Sequence, residues 1–188
     1  MDGPVMESPR HARGVPDARE EASLNEYPLL FTTRELVAGN GFLAFVDGCG
    51  QLLLVRESNA EWWMYGVQPG GIGEGGTTLG EANLRFVGSV KNVLAEIADE
   101  AKSFTEFERA VKDFFSQVDG TDRQRWEAAR AALLAGAAVD DPWVSALKRE
   151  PVLKDCRVQV SRINVPATEA KPDMNSGAES RIALAAAA

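Results

Sequence analysis

The sequence predicts an α+β fold: a three to four stranded antiparallel sheet, arranged as a meander, packed by one long helix and followed by two accessory C-terminal helices. Three observations predict it. Short apolar runs alternate with glycine-rich breaks between residues 41 and 68, as strands and turns do. A 3.6-residue apolar stripe runs through 79–101. Two shorter helical patterns follow before Gly136.

GFLAFV (Gly41–Val46) and QLLLVRE (Gln51–Glu57) read as two strands joined by a tight turn at Asp47-Gly48-Cys49-Gly50. After a break at Ser58-Asn59-Ala60, EWWMYGVQ (Glu61–Gln68) supplies a third, aromatic strand. Pro69-Gly70-Gly71 and the glycines at 73, 75 and 76 are expected to stay irregular until Thr78, where Thr78-x-x-Glu81 has the form of a capping box. In the helix that follows, Leu79, Ala82, Phe86, Val90, Val93, Leu94, Ile97 and Ala101 fall at three and four residue steps and form one packing face. Thr105-x-x-Glu108 is expected to open a second helix, rich in phenylalanine. A third is expected over about Thr121–Ala135, with Gly136 at the position of a left-handed cap. RVQVSRINV (Arg157–Val165) alternates polar and apolar residues and fits a late edge strand.

The organisation expected from these patterns has four parts. A disordered N-terminal tail covers 1–26. A folded α+β domain covers 27–140, with sheet and long helix in 27–102 and accessory helices in 103–136. An extended segment with an edge strand covers 141–166, and a disordered tail covers 167–188. Both tails are rich in Pro, Gly or charge and show neither a 2.0 nor a 3.6 period.

Net charge is −8 over 188 residues, with Lys and Arg scattered. An acidic surface of this kind repels phosphate backbones, so nucleic-acid binding by the chain alone is disfavoured and a basic protein partner suits it better. No apolar run reaches membrane-spanning length, and the charged start does not read as a signal peptide. Cys49 and Cys156 match no C-x-x-C spacing, so neither a zinc site nor a disulfide framework is signalled, and a cytoplasmic location is expected. Self-association is compatible with the sequence.

Chemistry is hard to place. QPGGIGEGGTT lacks the lysine that a P-loop sets after its last glycine, and Glu74 would stand beside a bound pyrophosphate. The single histidine, His11, lies in the N-terminal tail. Cys49, beside Asp47 and without a histidine near it in sequence, reads as structural. No catalytic residue, cofactor or metal ligand is therefore expected. In Trp62-Trp63, neighbouring strand residues point to opposite faces, so one enters the core while the other is exposed or covered by the C-terminal helices. Trp63 with Tyr65 on the same face, and the nearby acids Glu74 and Glu81, are the candidate partner-binding residues.

Two families share features with this chain. LLLVRE, the Trp62-Trp63 pair, PGGIGEGG and Glu81-Ala82 together resemble the opening of a Nudix hydrolase, with Arg85 at the position of the motif arginine when Gly71 is taken as the motif start. Where that family places its metal-holding glutamates, however, this chain has Thr77, Phe86, Ser89 and Val90. The alternative this implies is a catalytically inactive Nudix-like ligand-binding domain; a further alternative is an assembly or interaction module. Pro69, Gly70, Gly76, Thr78, Leu79, Glu81 and Ala82, preceded by the GFLAFV and QLLLVRE strands, resemble the HicB-like antitoxins. That resemblance covers roughly 41–101. It implies a degenerate RNase H-like domain, without working catalytic acids, that binds and blocks a small basic RNA-cleaving toxin in a toxin-antitoxin pair. The region 104–136 is not basic, so operator-DNA binding is not carried over.

Overall fold

The computed structural model describes residues 25–57, 61–147, 149–150, 157–164 and 179–185. The fold is α+β. Strand β1 (Glu26–Gly39) turns through Asn40-Gly41 into β2 (Phe42–Arg56), and β3 (Trp62–Gln68) and β4 (Gly73–Gly76) complete an antiparallel meander. Helices α1 (Leu79–Glu100), α2 (Phe104–Ser116), α3 (Gly120–Leu134) and the short α4 (Pro142–Ala146) follow. Strands β5 (Arg149–Glu150), β6 (Gln159–Arg162) and β7 (Glu179–Ala185) return to the sheet, whose order is β4-β3-β2-β1-β7-β5 with β6 on β2.

Two strands expected around a turn at 47–50 are one strand. β2 runs unbroken for 15 residues and pairs with β1 along its whole length. The glycines read as turn residues instead make room for rings that cross the strand. A Cβ on Gly48 would fall 2.4 Å from the Phe115 ring. One on Gly50 would fall 2.0 Å from the Gln68 carbonyl oxygen and 2.5 Å from the Phe31 ring. The hairpin turn lies earlier, at Asn40-Gly41, where Gly41 adopts φ +79°. Because β2 is long and bends, its second edge serves two partners: β6 along Ala44–Asp47 and β3 along Gln51–Arg56.

Alternation along the strands separates two apolar layers. Trp62 and Met64 of β3 face α1 and α2, in a core with Leu29, Phe31, Val46, Leu52, Leu54, Phe86, Val90 and Phe107. Of the expected α1 stripe, Leu79, Ala82, Phe86, Val90, Leu94 and Ala101 are buried and Val93 and Ile97 pack half-buried against the core, while Ala98, outside the stripe, is buried as well. Phe86 meets Phe31 edge-on at 5.6 Å between ring centroids. On the opposite face Leu30, Leu53, Val67 and Ala185 pack beneath Trp126 of α3, whose indole N–H donates to the Leu29 carbonyl at 3.2 Å.

Other boundaries move for local reasons. The Ser103 hydroxyl, not Thr105, caps α2 by accepting from Glu106 N–H, and Asp119 caps α3 through Thr121 and Asp122 N–H. Pro142 opens a short helix capped by Asp141. Gly136 takes the left-handed conformation expected of it, at φ +90°. β6 lies within the segment read as an edge strand. β7, by contrast, lies in a region read as a structureless tail, and pairs with β1 from Leu29 to Arg34. The remainder of that tail and residues 1–24 lie outside the described residues. Cys49 sits within β2 and is disulfide-bonded, where the cysteine spacing signalled no disulfide.

The strand reading of 47–50 makes a test. Gly50→Ala should lower stability by roughly 1–3 kcal/mol, because the added methyl meets main-chain oxygen and cannot be absorbed by a rotamer change. Phe86→Ala, at 1% exposure, should cost about 3–5 kcal/mol. Denaturant midpoints measure both; an unchanged midpoint for Gly50→Ala would restore the exposed turn.

Candidate functional site

The sheet ends at β4, whose sequence is Gly-Glu-Gly-Gly. This stretch was expected to be irregular. It forms a strand because the register sets Gly75 opposite Trp63 and Gly73 opposite Tyr65, so two large rings lie across two residues that have no side chain. A Cβ on Gly75 would fall 2.8 Å from the Trp63 ring, and one on Gly73 3.3 Å from the Tyr65 ring. The rings stack, with centroids 5.9 Å apart and planes within 10°. Aromatic side chains covering edge glycines stabilise strands that lack side chains of their own.

Of the tryptophan pair, Trp62 enters the core at 8% exposure, with the Arg56 guanidinium 5.2 Å from its ring. Trp63 faces the other way and is half-buried. Its indole N–H is buried and has no acceptor among the described residues. Tyr65 borders the layer under α3. There Arg125, held by Glu26 at 2.8 Å and Asp122 at 2.9 Å, lies 5.6 Å from the tyrosine ring. Burial, and secondarily the nearby Glu57 carboxylate, raise the Tyr65 hydroxyl above its ordinary pKa.

Glu74 alternates to the α1 side, where it accepts a hydrogen bond from the Ser89 hydroxyl. Glu81 reaches back from the first turn of α1. Its Oε2 accepts from the Thr77 N–H and the Thr77 hydroxyl, both at 2.9 Å, while Oε1 pairs with Arg85. The Thr78 hydroxyl accepts from Glu81 N–H at 3.1 Å, so the capping interaction is reciprocal with its return bond displaced one residue. Arg85 also donates to the Gly75 carbonyl at 2.7 Å.

The edge itself is partly open. Gly66 N–H donates to Ile72 O, which fixes the parity of the β3–β4 ladder: pairs 64/74 and 62/76 bond to each other, while Gly73 and Gly75 turn their main-chain groups outward. Arg85 covers one of these, the Gly75 carbonyl. Beside the edge lies a cleft of about 350 Å³ lined by Glu61, Trp63, residues 73–77, Glu81 and Arg85. Three carboxylates and one guanidinium give it a negative balance, and among the described residues no cluster of His, Cys, Asp and Glu side chains suits a metal. Aromatic surface, carboxylates and strand-edge N–H groups can hold an extended basic segment.

Three of the four residues chosen from sequence, Trp63, Glu74 and Glu81, line this cleft; Tyr65 supports Trp63 from beside it. Arg85, Glu61 and the glycine platform were missed as parts of the site. The signal was present in Trp63-x-Tyr65 and Gly73-x-Gly75, two alternations that only make sense when paired across strands. Compared with models of known protein families, with curated proteins and with solved structures, the chain matches none.

The Thr77 N–H first, then the Thr77 hydroxyl, and Arg85 more weakly, hold the Glu81 carboxyl below its usual range, against a smaller opposing effect of desolvation. A depressed folded-state value means the contribution to stability is complete above the ordinary glutamate range and is lost as pH falls through the lowered value. Glu81→Gln should therefore melt below the wild type at neutral pH, and the gap should close in acid. Thermal unfolding followed across pH checks this, and a gap that widens on acidification would contradict it.

Proposed function

We propose that this chain is a non-catalytic binding protein of the HicB-like antitoxin kind, which neutralises a small basic RNA-cleaving toxin by direct contact. The observation that carries the reading is the cleft along β4, where half-buried aromatic surface, three carboxylates and an incompletely paired strand edge coincide. An acidic chain of net charge −8 favours encounter with a basic partner. An antiparallel meander precedes the long helix, but the two strands on which the resemblance rests, Gly41–Val46 and Gln51–Glu57, are one strand here, so the strand order lends the reading no separate support.

The inactive Nudix-like alternative shares a sheet with helices on both faces and one parallel pair, β5 with β7. At the positions where a Nudix site would hold metal, however, Phe86 and Val90 are buried in the core and Ser89 is bonded to Glu74. These positions support binding rather than turnover. No helix among the described residues is long and apolar enough to cross a membrane. A cytoplasmic site of action belongs to the antitoxin proposal, and the disulfide at Cys49 is the feature that pulls against it, since such bonds are rare in reducing compartments.

The test is inhibition of a HicA-type toxin cleaving a reporter RNA. Wild-type chain should block cleavage. Trp63→Ala should raise the Kd by roughly thirty-fold or more, as loss of a hot-spot aromatic does, while Glu74→Ala should mainly slow association at low salt. Thermal melting of the same variants separates binding from folding. An undiminished toxin activity ends the antitoxin reading, and an unfolded Trp63→Ala protein ends the role of Trp63 as an anchor.

A further inference from the structure

We infer that the partner reaches the β4 edge as an extended segment that joins the sheet as one more antiparallel strand, carries alternating apolar and basic side chains, and displaces Arg85 bond for bond. The inference rests on the β4 cleft being the partner site and adds what that site reads. Gly73 and Gly75 turn their main-chain N–H and carbonyl groups away from β3, toward the side where a further strand would lie. Antiparallel pairing suits so short an edge, because it is the more stable arrangement per residue.

Register then assigns each incoming side chain to a face. In an antiparallel pair, residues opposite one another point to the same side of the sheet. Those opposite Gly73 and Gly75 therefore lie on the side of Tyr65 and Trp63, and apolar groups fit there against the Trp63 ring that lines the cleft. Those opposite Glu74 and Gly76 lie on the α1 side. Glu74 points that way to accept from Ser89, and a Cβ on Gly76 would fall 2.9 Å from the Glu81 Cβ, so Glu81 flanks the same row. Lysine or arginine at these two positions meets carboxylates. A second copy of this chain is a poor occupant, since two β4 edges brought together would set Glu74 and Glu81 against their own counterparts between molecules of net charge −8.

Arg85 is the guard that such a strand removes. Its guanidinium donates to the Gly75 carbonyl at 2.7 Å and pairs with Glu81 Oε1. A strand N–H opposite Gly75 takes the first place, and a basic side chain opposite Gly76 takes the second. Neither acceptor loses a donor, and the freed guanidinium, on a side chain already half exposed, returns to water. A segment without the basic residue opens the edge only by leaving Glu81 Oε1 without a cation, and so binds more weakly. The exchange therefore selects for sequence as well as for extended shape.

The experiment is titration calorimetry of the full chain with end-blocked peptides of about six residues that alternate valine and lysine. N-methylation of the valines removes the N–H groups that would bond to Gly73 and Gly75, and should weaken binding roughly ten-fold or more. N-methylation of the lysines, whose N–H groups point away from β4, should change it by about three-fold or less. Arg85→Met should tighten binding several-fold both for this peptide and for one with threonine in place of lysine; a gain from charge alone would reach only the lysine peptide. A chain that binds the peptides in this pattern yet leaves a HicA-type toxin active keeps strand addition and ends the antitoxin reading, whereas one that blocks the toxin and ignores the peptides does the reverse. Equal losses from both N-methyl series, a threonine peptide indifferent to Arg85→Met, or a dimer of the chain through β4 that excludes the peptides would each overturn the inference.

Discussion

A fifteen-residue strand can bend through a core only where its side chains get out of the way, and in this molecule Gly48 and Gly50 supply that room. The Phe115 ring crosses at one and the Phe31 ring and Gln68 carbonyl at the other, at distances no Cβ could share. Because β2 stays continuous through that crossing, β1 can pair with all of it, and the opposite edge is divided between β6 and β3. The placement of α2 follows as well, since Phe115 belongs to it and is anchored where Gly48 yields.

The same exchange of ring for hydrogen recurs at the sheet's far edge. There Trp63 and Tyr65 lie over Gly75 and Gly73, and the strand formed in this way would have almost no side-chain packing otherwise. The consequence is an open cleft. A conventional edge strand would place side chains on both faces, whereas β4 leaves its main chain, a tryptophan and the carboxylates of Glu61, Glu74 and Glu81 around one cleft. Arg85 partly closes the edge from α1, a common way for sheets to discourage promiscuous strand pairing. A partner that binds there has to compete with Arg85 for the Gly75 carbonyl.

Local patterns were legible in the sequence, and long-range compensation was not. The α1 stripe, the Thr78 cap, Gly136 and the division of labour between Trp62 and Trp63 all follow from periods of 3.6 and 2.0, which depend on neighbours in the chain. β1 escaped notice because Pro28 and the mixed TTRE stretch weaken its alternation; the proline is tolerated because β7 joins only from Leu29 onward. Asn40-Gly41 is the stronger hairpin signal, yet the glycines at 48 and 50 drew the turn to themselves. Their real cause, rings from residues 31 and 115, is invisible to any local rule. The strand at Gly73–Gly76 is the same case, with the compensating rings at 63 and 65. β7 has too little apolar pattern of its own and exists by pairing with β1.

The claim that most of the functional account rests on is that the β4 cleft is where a basic partner docks. Hydrogen exchange of the full chain, measured with and without a bound HicA-type toxin, tests it residue by residue. The account predicts slowed exchange concentrated at Trp62–Tyr65 and Gly73–Thr77, above all at the outward-facing amides of Gly73 and Gly75. Protection confined instead to the exposed outer face of α1 around Leu84, with β4 unchanged, would contradict it.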